Sequence, residues 1–157
     1  STLHTNGALD AVPRLIDLGV QPFLLSSSLA LLAAQRLVRM LCPSCKRPVK
    51  ADPQTLEKAI KESLLPNPPA PSSVIFYEAG GCDKCSKTGF LGRNGIYEVY
   101  LLNQEMRQII YKHGGDLAKL KEAASHSGMW SLRASGWRKV LQGVTTVEEI
   151  QAVTMEE

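Results

Sequence analysis

The chain contains four cysteines, and all of them fall into two pairs, Cys42-Pro43-Ser44-Cys45 and Cys82-Asp83-Lys84-Cys85. A Cys-x-x-Cys turn aims two thiols at one centre, and two such turns complete a tetrahedron of sulfur. Paired spacing with no stray thiol predicts metal binding in a reducing compartment, with Cys42, Cys45, Cys82 and Cys85 as ligands. Zinc is the expected metal. The site should be structural, because four sulfur ligands leave no open position for water. Two disulfides are the competing use, disfavoured where the start lacks the basic region and apolar core of a secretory leader. An iron–sulfur cluster is disfavoured because its usual sequence spacing is missing. Lys46 and Arg47 follow the first pair and Lys87 follows the second. Cations so placed would favour thiolates and offset their net charge.

His4, flanked by Thr5 and Asn6, could hydrogen-bond a phosphate or act as a base at the end of a strand; by itself it reads equally as a polar loop residue. His113 and His126 fall near expected helix ends, where a histidine complements the helix dipole. None of the twelve glycines precedes a lysine, so the phosphate cradle of a P-loop is missing. Neither Gly-x-Ser-x-Gly nor His-Glu-x-x-His occurs. The residues present therefore predict a chain that is catalytically inert by itself.

The positioning elements can be read from periodicity and punctuation. Ser1-Thr2-Leu3 is β-prone and ends at the polar tip His4 to Gly7. Asp10 should cap a short helix that Gly19 stops. Phe23 to about Met40 reads as a second helix, apolar nearly all round through Leu37 and therefore buried. Asp52-Pro53 opens a helix with Leu56, Ala59, Ile60 and Leu64 on one side, followed by a stiff connector from Pro66 to Ser73. A short strand, Val74 to Tyr77, is expected to pair with Ile96 to Leu101. Beyond that the chain turns helical, with N-caps at Asn103, Asp116 and Thr146 and stops at Gly114, Gly128 and Gly143. Thr146-Val147-Glu148-Glu149 fits a capping box. Trp130 and Trp137, at helical spacing with Leu141, should be core.

Net charge is +3, which neither demands nor excludes a nucleic-acid partner. Arg36, Arg39, Lys46, Arg47 and Lys50 form a local basic run, either phosphate contacts or a solvated rim around the metal centre. With Arg36 and Arg39 one turn apart on an apolar helix, at least one should reach a partner. The uncharged run from Leu18 to Gln35 is interrupted by Gly19, Gln21, Pro22 and three serines, so no membrane span is expected.

Taken together, these pieces resemble a known family. Ser1-Thr2-Leu3-His4-Thr5-Asn6 resembles the His box of the type II secretion and type IV pilus assembly ATPases. Gln35 to Cys45 is similar to the segment entering their tetracysteine motif. Gly81 to Cys85, Thr88-Gly89-Phe90, Gly92-Arg93 and Gly95-Ile96-Tyr97-Glu98 resemble that motif's second half. Gly128-Met129, Leu132-Arg133, Gly136, Lys139-Val140, Gly143 and Thr145 to Glu149 resemble the C-terminal helices. Gly7 departs from the pattern, standing where an acid or Ser is common, as do Ala134-Ser135 where acids are common.

The resemblance implies the C-terminal fragment of an α/β, RecA-like P-loop ATPase, mainly helical with a small zinc-bound two-stranded β element. Residues 1–41 would end the ATPase domain, 42–101 form the tetracysteine subdomain, and 102–157 a helical subdomain. The intact protein would be a homohexamer using ATP and Mg2+. It would be cytoplasmic, peripheral at the bacterial inner membrane through platform and cytoplasmic adaptor proteins, with its Walker motifs before residue 1. His4 would sense or polarise the γ-phosphate. Arg36 is the candidate for nucleotide-side or intersubunit contact. Retraction members usually lack the tetracysteine element, which favours the assembly or export side. A zinc-ribbon module gripping nucleic acid through the basic run, or a non-enzymatic assembly factor, are the alternatives.

Overall fold

The computed structural model describes residues 2–154, a mixture of helices and small antiparallel sheets. Residues 2–5 are irregular, and Ser1 lies outside the described residues. Helix α1 spans Ala11–Asp17 and α2 spans Pro22–Ser28. Asp10 does not cap α1: its own backbone is helical, at φ −64° and ψ −17°, and its carboxylate instead accepts the Gly7 N–H at 2.8 Å.

The expected helix from Phe23 to Met40 is corrected most heavily. It stops at Ser28, Leu29 turns extended (φ −69°, ψ 123°), and Leu31–Leu41 forms strand β1. The Ser26, Ser27 and Ser28 hydroxyls donate back to the carbonyls of Phe23 and Leu24, competing with onward helix bonds. Leu31 and Leu37 are about half exposed rather than buried. Burial along β1 alternates, with Leu32 and Val38 inward. Arg36 and Arg39 consequently share no helix face; an odd spacing on a strand sends them to opposite sides.

Strand β2 is Arg47–Val49, β3 is Phe76–Glu78 and β4 is Phe90–Leu101. Their pairing also departs from expectation. β3 pairs antiparallel with β2, Pro48 opposite Tyr77, while β4 pairs with β1. Bonds from Leu102 N–H to Ala30 C=O and from Cys42 N–H to Gly89 C=O fix that second ribbon's direction as antiparallel. The single β element of the sequence reading is therefore two separate ribbons.

The helical expectations elsewhere hold. Helix α3 (Pro53–Glu62) is capped by Asp52, which accepts the Thr55 N–H at 2.9 Å, although Leu64 falls past its end and is exposed. The connector after it carries one 3-10 turn at Pro71–Ser73. Helices α4 (Gln104–His113), α5 (Leu117–His126) and α7 (Val147–Val153) are capped by Asn103, Asp116 and Thr146, and His113 and His126 end their helices. Helix α6 is Leu132–Leu141. Trp137 on it is fully buried, whereas Trp130 lies outside it and is exposed.

The chain packs as two units. One holds the residues through Ala34 together with Tyr97–Ser131. Its core gathers Val12, Leu25, Leu32, Met106, Ile110 and Leu120. The other holds Gln35–Ile96 and residues 132–154. Within it the chain before α7 lies along β1: Leu41 N–H donates to Val144 C=O and the Thr145 hydroxyl to Arg39 C=O. Glu149 does not reach back to its own cap. It accepts the Arg39 backbone N–H at 3.0 Å and the Arg39 guanidinium at 2.7–3.1 Å. This occupies backbone groups of a strand that would otherwise offer a bare edge.

Those Arg39 hydrogen bonds hold the Glu149 carboxyl below its ordinary value of 4.5, against the opposing effect of burial. The unfolded chain therefore takes up the proton first as pH falls. The stabilisation is complete above the ordinary carboxylate range and lost as pH drops through the lower folded value. Urea unfolding at stepped pH should show this loss in the wild type and a flatter profile in Glu149→Gln. At neutral pH that variant should be weaker by about 1–2 kcal/mol, discounted for the exposed arginine.

Candidate metal centre

Two turns build the centre. In the first, the Cys45 and Lys46 amides donate to Cys42 C=O at 3.2 and 3.0 Å. In the second, the Cys85 and Lys87 amides donate to Cys82 C=O at 3.3 and 2.9 Å. Ser86 and Lys87 both take positive φ, 52° and 64°, which turns the chain sharply after Cys85. The turns meet because the strands deliver them: β1 runs directly into Cys42, and β4 begins just after Gly89. The bond from Cys42 N–H to Gly89 C=O, 2.9 Å, locks the two together.

The four sulfurs lie within 4.8 Å of one another and could hold a metal ion. Three separations are 3.7 Å (Cys82–Cys85), 3.8 Å (Cys45–Cys85) and 3.9 Å (Cys42–Cys82), all far beyond a disulfide bond of about 2.05 Å. Cys42 and Cys85 are buried. The Cys85 sulfur accepts backbone N–H groups from Cys82 at 3.4 Å and Gly89 at 3.2 Å. These amides, Cys82 foremost, draw the Cys85 thiol down to about 6. Burial, then hydrogen bonding to Cys85 and Cys82, pushes Cys45 up to about 12. Sulfurs this close cannot all ionise without a cation among them.

Two of the cations expected to favour the thiolates, Lys46 and Lys87, have other partners. Lys46 Nζ donates to Gly143 C=O at 2.8 Å and lies 4.3 Å from the Tyr77 ring centroid. Lys87 pairs with Asp83 at 2.7 Å. At Cys85 it is backbone amides that favour the thiolate. Two glycines make the fold around the sulfurs possible. A Cβ on Gly80 would fall 2.1 Å from Cys45 O, inside any contact distance. Gly89 has φ +78°, and a Cβ there would meet Ala79 Cβ at 2.7 Å.

His4 is exposed in the irregular opening stretch. Arg36 is half-buried on β1 and belongs to the other unit. Only the cysteines are gathered into one site. Of the basic run, Arg39 is held by Glu149 and packs over Phe90, 4.2 Å from its centroid. The sequence reading passed over Glu98, which is 4% exposed on the buried face of β4. Its signal was parity: a carboxylate in phase with Ile96 and Tyr100.

The sequence pattern of the family described as "Type II/IV secretion system protein" matches residues 1–152. "Type II secretion system protein E" of Pseudomonas aeruginosa is 46% identical over 157 residues, covering 100% of this chain and 30% of that protein. "Type II secretion system ATPase E" of Vibrio cholerae is 43% identical over 156 residues, covering 99% and 29%. "Type IV pilus assembly ATPase PilB" of Myxococcus xanthus is 42% identical over 150 residues, covering 96% and 26%. The chain thus spans less than a third of each of these relatives. Among the described residues no helix is long and apolar enough to cross a membrane. By sequence over residues 1–152, the chain belongs to the type II/IV secretion system protein family.

Proposed function

We propose that this chain is the C-terminal part of a hexameric ATPase that powers type II protein secretion or type IV pilus assembly, and that its four cysteines hold structural zinc. The clustered thiols carry this reading, joined to relatives named as secretion and pilus assembly ATPases. Four zinc–sulfur bonds of about 2.3 Å define a tetrahedron with edges of about 3.8 Å. Three of the six sulfur separations, at 3.7–3.9 Å, match that edge, and all six lie within 4.8 Å. Zinc bound to Cys42, Cys45, Cys82 and Cys85 would supply cross-links that a ribbon of three-residue strands cannot supply for itself.

In this reading residues 1–41 end the RecA-like domain, whose Walker motifs, with the Mg2+ and ATP they hold, belong to the sequence before residue 1, and this part alone does not hydrolyse ATP. His4 donates to the γ-phosphate or polarises it, a contact that differs before and after hydrolysis and so can drive domain motion. Arg36 is assigned, more weakly, to nucleotide-side or intersubunit contact. The machine works at the cytoplasmic face of the inner membrane through platform and adaptor proteins.

Metal analysis of the purified chain should find about one zinc per molecule; intact disulfides with no metal would overturn the zinc assignment. Replacing Gly89 by Ala should displace the amide that serves Cys85. Chelator competition should then show zinc held about 10- to 100-fold more weakly, as for lost second-shell support. In the longer protein, His4→Ala should depress ATP turnover more than ATP binding. Unchanged turnover would return His4 to an ordinary loop residue.

A further inference from the structure

A carboxylate buried on a strand face is costly unless its oxygens are matched by donors. Glu98 is matched on both sides. One oxygen, Oε1, accepts the backbone N–H of Ala8, and the other accepts the Tyr100 hydroxyl at 3.2 Å. Ala8 and Leu9 are themselves buried, at 4% and 3% exposure, so the anchored backbone sits in the core of its unit.

The segment just before this anchor is tied at successive points. The Thr5 hydroxyl donates to Gly7 C=O at 2.9 Å, and Gly7 N–H donates to the Asp10 carboxylate at 2.8 Å. Two consecutive amides, those of Gly7 and Ala8, thus point at two different carboxylates. A Cβ on Gly7 would stand 3.1 Å from Glu98 Oε1 and 3.2 Å from Asp10 Oδ2, which shows how closely the backbone rests on both. Exposed His4 lies immediately upstream. An apolar residue at position 98 would bury more hydrocarbon but leave the Ala8 donor without its charged acceptor.

We infer that Glu98 is a positioning residue: through the Ala8 amide it holds the His4 loop in one conformation. A fixed loop keeps an imidazole at a defined place relative to a reacting phosphate, whereas a loose one spends its binding energy on ordering. Glu98 touches neither nucleotide nor metal in this account. The inference rests on the proposed role of His4 at ATP.

Two experiments separate the anchor from that role. In this chain, amide hydrogen exchange compares Ala8 with Leu120, a core residue of the same unit. Glu98→Leu should speed exchange at Ala8 by about tenfold or more while leaving Leu120 unchanged, the mark of local rather than global opening. Glu98→Gln, which keeps an oxygen acceptor, should restore most of the protection. Equal acceleration at both amides, or none at Ala8, overturns the inference. If Glu98→Leu does not fold, Tyr100→Phe removes the hydroxyl that donates to Oε2 and should speed Ala8 exchange to a smaller degree; unchanged exchange overturns the anchor.

In the longer protein, Glu98→Leu should lower kcat about 10- to 100-fold with little change in KM for ATP, and Glu98→Gln should recover it. The double variant with His4→Ala should be no slower than His4→Ala alone, because both changes act through one group. Multiplying losses overturn the positioning role. Should His4→Ala leave turnover intact, the reading of His4 fails while the exchange experiment still judges the anchor.

Discussion

The constraint on which the structure most depends is that four cysteine sulfurs must converge from positions forty residues apart in the sequence. Convergence demands that the chain leave Cys42 and return to Cys82 at nearly the same place. The ribbon of β1 and β4 does this by presenting both turns at one end. Ionised sulfurs this close repel one another, and backbone donors ease that charge chiefly at Cys85, so the arrangement suits a cation among them. A centre of this kind is one that metal and fold complete together.

Around that centre, charged side chains find main-chain and side-chain partners other than the sulfurs. Lysines adjacent to the cysteines are drawn to a carbonyl, an aromatic ring and an aspartate. Glu149 similarly gives up the reciprocal cap contact suggested by its position and holds Arg39 by side chain and backbone together. Sequence proximity was a poor guide to the partners of Lys46 and Glu149, because a long side chain finds whatever unsatisfied group the fold places nearest. Lys87, by contrast, does pair with nearby Asp83.

The cysteine spacing, the N-caps at Asp52, Asn103, Asp116 and Thr146 and the glycine stop at Gly114 were all legible in the sequence, because each is a local rule read over three or four residues. The stretch from Leu31 to Leu41 was not. Leu, Ala, Gln, Arg and Met all favour helix, and only pairing with β4 makes that stretch a strand. With the strand misassigned, Arg36 and Arg39 were put on a common face they do not share, and β3 was given the wrong partner. Glu98 went unread for a related reason: its burial becomes visible only when β4 is counted in steps of two from Ile96 to Tyr100. His4 shows the opposite limit. The Ala8–Glu98 hydrogen bond near its loop is a structural observation, whereas its proposed chemistry comes from the family pattern.

The hydrogen bond from Cys42 to Gly89 has a consequence for tolerance of change. It pins the stem of the excursion that carries both turns, the α3 helix and the proline-rich connector. Beyond the stem, the connector from Pro66 to Ser73 is largely exposed and contributes one short turn. Lengthening it costs only the slow logarithmic entropy of a larger loop, and the alignment of β1 against β4 is set outside it. The segment is therefore a point at which the protein can absorb insertions or deletions, or accept a grafted peptide, without disturbing the sulfur cluster's supporting strands.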